Sequence, residues 1–321
     1  MGSIRYRAIV SNDQAGKRVD QVAADLFSGF SRNRLKLWIQ QGDLTLSGRT
    51  VEPKTKVREG DELTLNALPE PVVEVYPEPI SLDFVHEDSA CAVINKPAGL
   101  VVHPGAGNPS GTMQNALLHW DERLASVPRA GIVHRIDKET SGLLVVARTL
   151  EAHQALVKQL EKHEVERTYE GICQRVLTGG GKINAPIGRH PKDRLRMAVI
   201  EGTRPAITNY RLLERFRAHT HVRIQLETGR THQIRVHFAH IKAPLVGDPL
   251  YGKRPLFPVA PEKNLKQKLQ QFPRQALHAK QLAFKHPISG KLLSFSSSIP
   301  EDMSKLLQAL RGDVEAAQTR Q

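Results

Sequence analysis

Cysteine is scarce in this 321-residue sequence. Its two cysteines, Cys91 and Cys173, lie far apart within apolar, strand-like runs, which favours buried structural thiols over a disulfide or a catalytic nucleophile. No run approaches the roughly 18 uninterrupted apolar residues of a membrane helix, and the start, MGSIRYRAIV, lacks the pattern of a signal peptide. We therefore expect a globular protein of the cytoplasm, without a membrane-spanning segment.

Motifs that bind cofactors are also missing. The sequence has no Walker loop, no GxGxxG turn coupled to a strand, and no cysteine–histidine ligand set. The isolated GAG at 105–107 is typical of a turn. His232, His237 and His240 are spaced by five and three residues, a poor arrangement for three ligands on one helical face. We therefore expect neither a nucleotide cofactor nor a metal ion.

Acidic residues are too few to balance the basic ones. The sequence has 33 Asp and Glu against 46 Lys and Arg, which gives a formal net charge of +13. Such a charge favours a polyanionic partner, because each neutralised phosphate releases counterions, but it does not distinguish RNA, DNA and membrane. More than half of the excess lies in 253–285, whose single acid is Glu262. Four prolines in that segment leave a solvated, poorly ordered loop as the alternative.

The pattern of apolar residues in the first part of the chain predicts a small αβ domain over 16–66. Apolar residues at helical spacing predict helices over 18–27 and 31–41, the second beginning at Ser31 as N-cap. Strand patterns follow at Leu44 and Leu46 and again from 62 to 65. The proline-rich segment 67–81 is then expected to be an extended linker.

This domain resembles the S4 RNA-binding domain. The resemblance is carried by the basic second helix and by the segment GDLTLSG at 42–48, which is similar to the S4 pattern G-D-V-x-V-N-G. It implies that Arg32, Arg34 and Lys36, on the flanks of that helix, contact RNA. An unrelated αβ domain with a solvated basic face is the alternative.

From residue 82 onward, short strands outnumber helices and follow no regular βαβ order. This predicts an α+β domain over 82–312, with a mixed, mainly antiparallel sheet and flanking helices. We expect a frayed tail over 313–321. The expected strands are 90–94, 142–148, 167–176, 207–213 and 222–227, and the expected helices are 112–124, 150–163 and 231–241.

Three segments combine charged residues with turns in a way that a hydrophobic core does not need. They are 95–108, 134–149 and 227–240. In the second, a charged loop that contains Asp137 leads directly into an apolar strand, and such a loop can present a catalytic group on a rigid support. From these residues alone, a turn or capping role for Asp137 stays open.

The segment HRIDKETSGLL at 134–144 resembles the signature of the RluA-type pseudouridine synthases, H-R-L-D-x-x-T-S-G-L. The resemblance implies the pseudouridine synthase fold, with Asp137 as the catalytic aspartate. It extends to Tyr169 in ERTYEGI and to Arg230 in GRTHQIR, which it implies as further catalytic residues. The departure of Ile136 from the signature leucine is conservative.

The family reaction breaks the N1–C1′ bond of uridine, turns the uracil and joins C5 to C1′. It has no net oxidation and needs no energy source. Asp137 would act ionised, by covalent attack on the sugar or by removing the C2′ proton, and the sequence leaves both routes open. We expect an ion pair between Asp137 and Arg230. Tyr169 would offer its ring to the uracil and its hydroxyl near C5.

A uridine in a stem must leave the stack before it can react. By the resemblance, Arg135 would occupy the vacated place, His134 and Arg235 would contact the RNA, and Ile234 would form an apolar floor. The segments HPGAGN and PRAGIVHR are similar to the group of this family that modifies helix 69 of 23S ribosomal RNA. We therefore expect a monomer that acts on 23S rRNA or pre-50S particles and supports maturation of the large subunit.

Two other functions stay open from the sequence. A ribosome-assembly factor on the same fold would bind RNA without modifying it. A glycoside-cleaving enzyme would need two carboxylates roughly 5–10 Å apart, and Glu139 is the only second acid in the motif.

Overall fold

The structure is a computed structural model that describes residues 4–27, 30, 32–67, 75–105, 107–252 and 254–320. Contacts within the chain divide it into two units, residues 1–74 and 75–321. The expected N-cap Ser31 and residues 68–74 of the expected linker lie outside the described residues.

The first unit contains two helices and a three-stranded antiparallel sheet in the order β1-β3-β2. Its apolar core includes Val22, Leu35 and Trp38, so both predicted helices bury the face that their spacing indicated. The first strand pairs along its length with the third, although it lies outside the domain start predicted at residue 16. The elements are β1 (Ile4–Ile9), α1 (Val19–Leu26), α2 (Arg32–Gln41), β2 (Leu44–Leu46) and β3 (Glu62–Ala67).

The second unit is built on eleven strands and five helices among its described residues. The strands are β4 (Phe84–Glu87), β5 (Cys91–Lys96), β6 (Ser141–Ala147), β7 (Glu166–Cys173), β8 (Gly181–Asn184), β9 (Ile187–Arg189), β10 (Met197–Val199), β11 (Ile207–Arg215), β12 (Thr220–Leu226), β13 (Leu277–Lys285) and β14 (Leu292–Ser296). The helices are α3 (Met113–Trp120), α4 (Leu150–Glu161), α5 (Gln233–His240), α6 (Lys263–Gln271) and α7 (Glu301–Thr319).

Nine of these strands form one sheet in the order β4-β5-β6-β13-β7-β12-β11-β8, with β14 paired to β13. Among the described strands of this sheet, only β6 and β13 run parallel, so the predicted α+β class with a mainly antiparallel sheet is confirmed. Every residue of β6 is buried. The central strands β6, β13 and β7 therefore form a rigid support for the loops at their ends.

The end of the chain differs from the frayed tail that we predicted over 313–321. Helix α7 continues to Thr319 without interruption. Asp313 is buried on it, accepts the backbone N–H of Glu262 at 2.8 Å and pairs with Arg217 at 3.0 Å. These contacts hold the last turns of the helix against the domain, and no local sequence pattern predicts them.

Part of the basic segment 253–285 is also regular structure. Helix α6 buries Leu265 and Leu269, and its lysines at 263, 266 and 268 are exposed. Both cysteines are buried, as predicted, and burial raises the pKa of each thiol to about 12. No described helix is long and apolar enough to cross a membrane.

Substitution of Gly142 tests the support of the loop that contains Asp137. Gly142 on β6 has φ +114°, and a Cβ there would lie 2.3 Å from the carbonyl oxygen of Ala279 on β13. We expect Gly142→Ala to lower the free energy of unfolding by about 3 kcal/mol or more, since strain and overpacking add. Gly290→Ala is the control, because its φ is +69° with open space around it. It should cost only about 1–2 kcal/mol in urea unfolding. Equal losses in the two variants would refute the steric argument.

Candidate active site

The backbone around Asp137 is fixed from two sides by buried cations. Lys96 donates from Nζ to the carbonyl oxygen of Lys138 at 2.9 Å, and Arg274 donates from Nη1 to that of Glu139 at 3.1 Å. Burial lowers the pKa of Lys96 to about 7. Both side chains bind main-chain carbonyl oxygens of the two residues after Asp137. They therefore fix the backbone from which the Asp137 side chain extends.

This loop forms one wall of a cavity of about 590 Å³. The cavity brings together seven of the residues that the sequence analysis singled out, although they come from three separated segments of the chain. They are His134, Arg135, Asp137, Tyr169, Arg230, Ile234 and Arg235.

Arg235 is the charge partner of Asp137. Its Nη1 lies 3.1 Å from Oδ2 of Asp137, while its Nε and Nη2 donate to the two carboxylate oxygens of Asp248 at 2.7 and 2.9 Å. The Arg235 side chain is 5% exposed and that of Asp248 is fully buried. Burial opposes the positive charge, but the hydrogen bonds and charges of Asp248 and Asp137 outweigh it and raise the pKa of Arg235. Asp137 therefore faces a permanent cation.

Two predictions about these arginines are corrected by this arrangement. Arg230 was expected to pair with Asp137, but its Nε donates to the carbonyl oxygen of Pro205 at 3.1 Å, and the ion pair that Asp137 forms among the described residues is with Arg235. Arg235 was expected to reach RNA, but it is buried between two carboxylates. Both arginines line the cavity, and five residues separate them in one motif, so the sequence alone could not assign the pair.

Helix α5 begins at this motif through a turn that Gln233 organises. Its side-chain oxygen accepts the backbone N–H of Arg230 at 2.9 Å, and its amide donates to the carbonyl oxygen of Ile207 at 2.9 Å. His232 precedes the helix with φ 55°, and its Nδ1 is hydrogen-bonded to the hydroxyl of Tyr251 at 2.8 Å. The Tyr251 ring also lies 5.0 Å from the Arg235 guanidinium. This turn places Ile234 in the cavity wall, where it is 4% exposed.

Tyr169 lies on β7 with its ring in the cavity wall. It is 6% exposed, and burial raises the pKa of its hydroxyl, so the phenol is neutral at pH 7. The negative charge of Asp137 acts on it in the same direction, which places the two groups within electrostatic reach of each other.

The two residues at the start of the motif have different environments. Arg135 is exposed, and its Nη1 lies 3.1 Å from Nε2 of His103, at the mouth of the cavity. His134 accepts the backbone N–H of Val145 through Nε2, and burial, assisted by the charge of Arg167, lowers its pKa to about 3. His134 is therefore a neutral group bound to strand β6, which does not suit a charged contact with phosphate.

The predicted basic helix of the first unit is α2. Arg32 and Lys36 are exposed on it, and Arg34 lies 5.0 Å above the ring of Trp38. Arg32 also approaches Asp20 at 3.9 Å. The exposed cations on this helix leave it able to contact a polyanion.

Among the described residues, one cluster combines metal-ligand types outside the cavity. Ligand atoms of His86, Asp88 and Cys91 lie within 4.8 Å of one another. One oxygen of Asp88 accepts the backbone N–H of Ala90 and of Cys91, and the other lies 2.8 and 3.1 Å from the rings of His86 and His286. These hydrogen bonds outweigh burial and lower the pKa of Asp88 to about 2. The hydrogen bonds of Asp88 therefore explain why these side chains lie together, in the turn that joins β4 to β5.

Sequence reasoning missed Asp248, Tyr251 and Arg167. Arg167 carried a usable signal, because it lies two residues before Tyr169 in a strand and therefore shares its face. For Asp248 the sequence contained no such signal beyond the turn-forming segment GDPLYG. Its role depends on a tertiary contact with Arg235 on helix α5.

Comparison of the sequence with known proteins shows the family to which the chain belongs. Residues 90–240 match the family model of RNA pseudouridylate synthase. The chain is 52% identical to the ribosomal large subunit pseudouridine synthase D of Xanthomonas campestris pv. campestris, over 96% of this chain and 93% of that protein. It is 52% identical to the protein of the same name from Pseudomonas aeruginosa, over 98% of each chain, and 48% identical to that of Escherichia coli K12, over 97% and 96%.

Solved structures agree with this result. Human RNA pseudouridylate synthase domain containing 4 aligns with a TM-score of 0.56 at 25% identity, over 71% of this chain and 93% of that one. Human RNA pseudouridylate synthase domain containing 1, at 22% identity and a TM-score of 0.53, shares the fold. The predicted resemblance to RluA-type synthases, and among them to synthase D, is confirmed. The chain belongs to the RNA pseudouridylate synthase family.

Proposed function

We propose that this protein is an isomerase that converts uridines of 23S ribosomal RNA to pseudouridine, with Asp137 as the catalytic carboxylate. The observation that carries the proposal is the position of Asp137, which faces a cavity of about 590 Å³ with the Arg235 guanidinium at 3.1 Å. Family membership supplies the reaction class. The acids that line the cavity are Asp137 and Glu161, and we assign the action on C1′ or on the C2′ proton to Asp137, which lies in the family motif and contacts a buried guanidinium.

Arg235 holds the Asp137 carboxylate in place for either route. Three hydrogen bonds to Asp137 and Asp248 prevent the Arg235 guanidinium from turning away. As the N1–C1′ bond breaks, positive charge develops at the sugar, and the carboxylate stabilises it or captures C1′. The same carboxylate can accept the C2′ proton, which would give a glycal instead.

Tyr169 would hold the uracil while it turns. Its ring forms part of the cavity wall, and a pyrimidine can stack on it. Since its phenol is neutral, the hydroxyl would relay the C5 proton, taking it up while it gives its own proton to a base such as the Asp137 carboxylate. Ile234 supplies an apolar surface beside the same space.

The uridine would reach this cavity by leaving its stem. Arg135, exposed at the mouth, is placed to occupy the vacated stack or to pair with a phosphate. Helix α2 of the first unit, an S4-like RNA-binding domain in this proposal, would grip the RNA backbone through Arg32, Arg34 and Lys36.

The proposed substrate is helix 69 of 23S rRNA, free or in a pre-50S particle. The relatives are named as synthases of the large ribosomal subunit, and the segments HPGAGN and PRAGIVHR support the same group within the family. The protein would act in the cytoplasm as a monomer, without a cofactor, and its product would support maturation of the large subunit. A pure assembly factor would bind the same RNA and modify nothing.

Asp137→Asn tests the reaction and the target together. With 23S rRNA tritiated at C5 of uridine, we expect the wild type to release tritium and the variant to lose more than about 10⁴-fold in rate, since it lacks the reacting carboxylate. Primer extension after carbodiimide treatment should give stops in helix 69 for the wild type only.

Glu161→Gln is the matched control, because Glu161 is the second acid that lines the cavity and a glycoside-cleaving enzyme would need a second carboxylate. The variant should keep most of its activity, and no free uracil should appear. Binding without tritium release by the wild type, from free RNA and from immature subunits, would favour the assembly factor.

Exchange of each arginine for lysine tests which one serves Asp137. Arg235→Lys keeps the charge but cannot bridge two carboxylates, so we expect about 10²-fold slower tritium release at saturating RNA. Arg230→Lys should lose less than about 10-fold, because its Nε binds a backbone oxygen. The opposite order would support the pair first predicted from the sequence. Thermal unfolding of both variants controls for folding, and the Arg235 variant should be the less stable one.

Removal of two charges from α2 tests the RNA grip of the first unit. Arg32→Gln with Lys36→Gln should reduce the slope of log Kd against log salt concentration by about 1.5, since each lost phosphate contact removes roughly 0.7–0.9. Tritium release at saturating RNA should not change. Lys305→Gln on α7, which breaks an exposed ion pair with Glu301, is the control. An unchanged slope in the double variant would exclude α2 from the interface.

A further inference from the structure

Arg167 lies in the active-site cavity but has no role in the mechanism above. It is two residues before Tyr169 on β7, and side chains at this spacing share one face of a strand. Both residues line the cavity. Nη1 of Arg167 is 2.8 Å from the place that a Cβ of residue 229 would occupy, so Gly229 leaves the guanidinium its space.

The guanidinium of Arg167 has no protein partner among the described residues. Its Nε is buried without a hydrogen bond. In contrast, Arg135 contacts His103, Arg230 binds a backbone oxygen, and Arg235 holds two carboxylates. A buried donor without an acceptor costs free energy, and such groups are rare unless a ligand supplies the acceptor.

The position of Arg167 relative to Tyr169 and His134 identifies which part of the substrate it would meet. Arg167 and Tyr169 lie two residues apart on one face of β7 and both line the cavity, so the guanidinium is directed toward the same space as the ring that would stack on uracil. The charge of Arg167 also acts on the pKa of Tyr169 and on that of His134. Phosphates of the RNA backbone would stay near exposed Arg135 at the mouth of the cavity. The acceptors that reach the depth of Tyr169 are the carbonyl oxygens of the base.

We propose that Arg167 is a further catalytic residue, which donates hydrogen bonds to a carbonyl oxygen of the flipped uracil and stabilises the negative charge of the detached ring. The inference rests on the proposed function. When the N1–C1′ bond breaks, its electron pair stays on the uracil and spreads from N1 to O2 and O4. C5 then bonds to C1′ and loses its proton, N1 gains one, and the charge disappears. Arg167 would therefore act only between the cleavage of the N1–C1′ bond and the disappearance of the negative charge.

The test compares Arg167→Met with Arg167→Lys and with a control on the other face of the sheet. Single-turnover tritium release at saturating RNA should fall about 10²-fold in Arg167→Met, as for loss of one preorganised donor to a developing anion. Kd for the RNA should stay within about threefold. Arg167→Lys should recover part of the rate. The control, Arg223→Met, removes an arginine that lies near Glu170, and it should leave the rate unchanged.

Two further measurements separate this role from a structural one. Since no described residue is a hydrogen-bond or ion-pair partner of the guanidinium, Arg167→Met should not lower the melting temperature, whereas loss of a structural arginine would. Millimolar guanidinium should restore part of the rate of Arg167→Ala and should not affect the wild type. An unchanged rate in Arg167→Met, or a loss confined to Kd and its salt dependence, would overturn the inference. A wild type that releases no tritium would instead contradict the proposed function.

Discussion

The active site depends on one buried guanidinium, that of Arg235, between the carboxylates of Asp137 and Asp248. Removing an ion from water has a large unfavourable free energy, which is offset only when the geometry and the hydrogen bonds of the buried ion are good. Here three hydrogen bonds of 2.7 to 3.1 Å satisfy it. Asp248 is fully buried and also accepts the backbone N–H groups of Leu250 and Tyr251. The orientation of Asp137 is therefore set by a turn more than a hundred residues away in sequence.

The backbone of the same loop is held independently of this ion pair. Lys96 extends from the end of β5 and Arg274 from the segment before β13, and both bind its carbonyl oxygens. Arg274 also pairs with Asp302 on α7 at 2.7 Å, so the terminal helix contributes to the position of the loop. One set of contacts fixes the path of the chain, and the other fixes the direction of the carboxylate. Preorganisation of this kind is what a charge-stabilising site needs.

The sequence predicted the sheet class, the two helices of the first unit and the segments that meet in the cavity, because periodicity and motifs are local. It failed where the outcome depends on distant contacts. Arg230 and Arg235 are both arginines of one motif, and only the turn at His232 decides which one points at Asp137. The last turns of α7 looked like a frayed tail because their stabilising partner, Arg217, lies on another element. Strand β1 was missed because its partner is β3, about fifty residues later.

The arginines of the cavity can be sorted by what neutralises them. Arg235 has two carboxylates within 3.1 Å and therefore belongs to the protein's own framework. Arg135 is exposed beside His103 and can leave that contact at little cost, as a group that meets RNA must. Arg167 is half-buried with its Nε unsatisfied, so its best acceptor is one that arrives with the substrate. The arginines of the cavity thus fall into two groups. Arg235 stabilises the site itself, whereas Arg135 and Arg167 are available to contact the RNA.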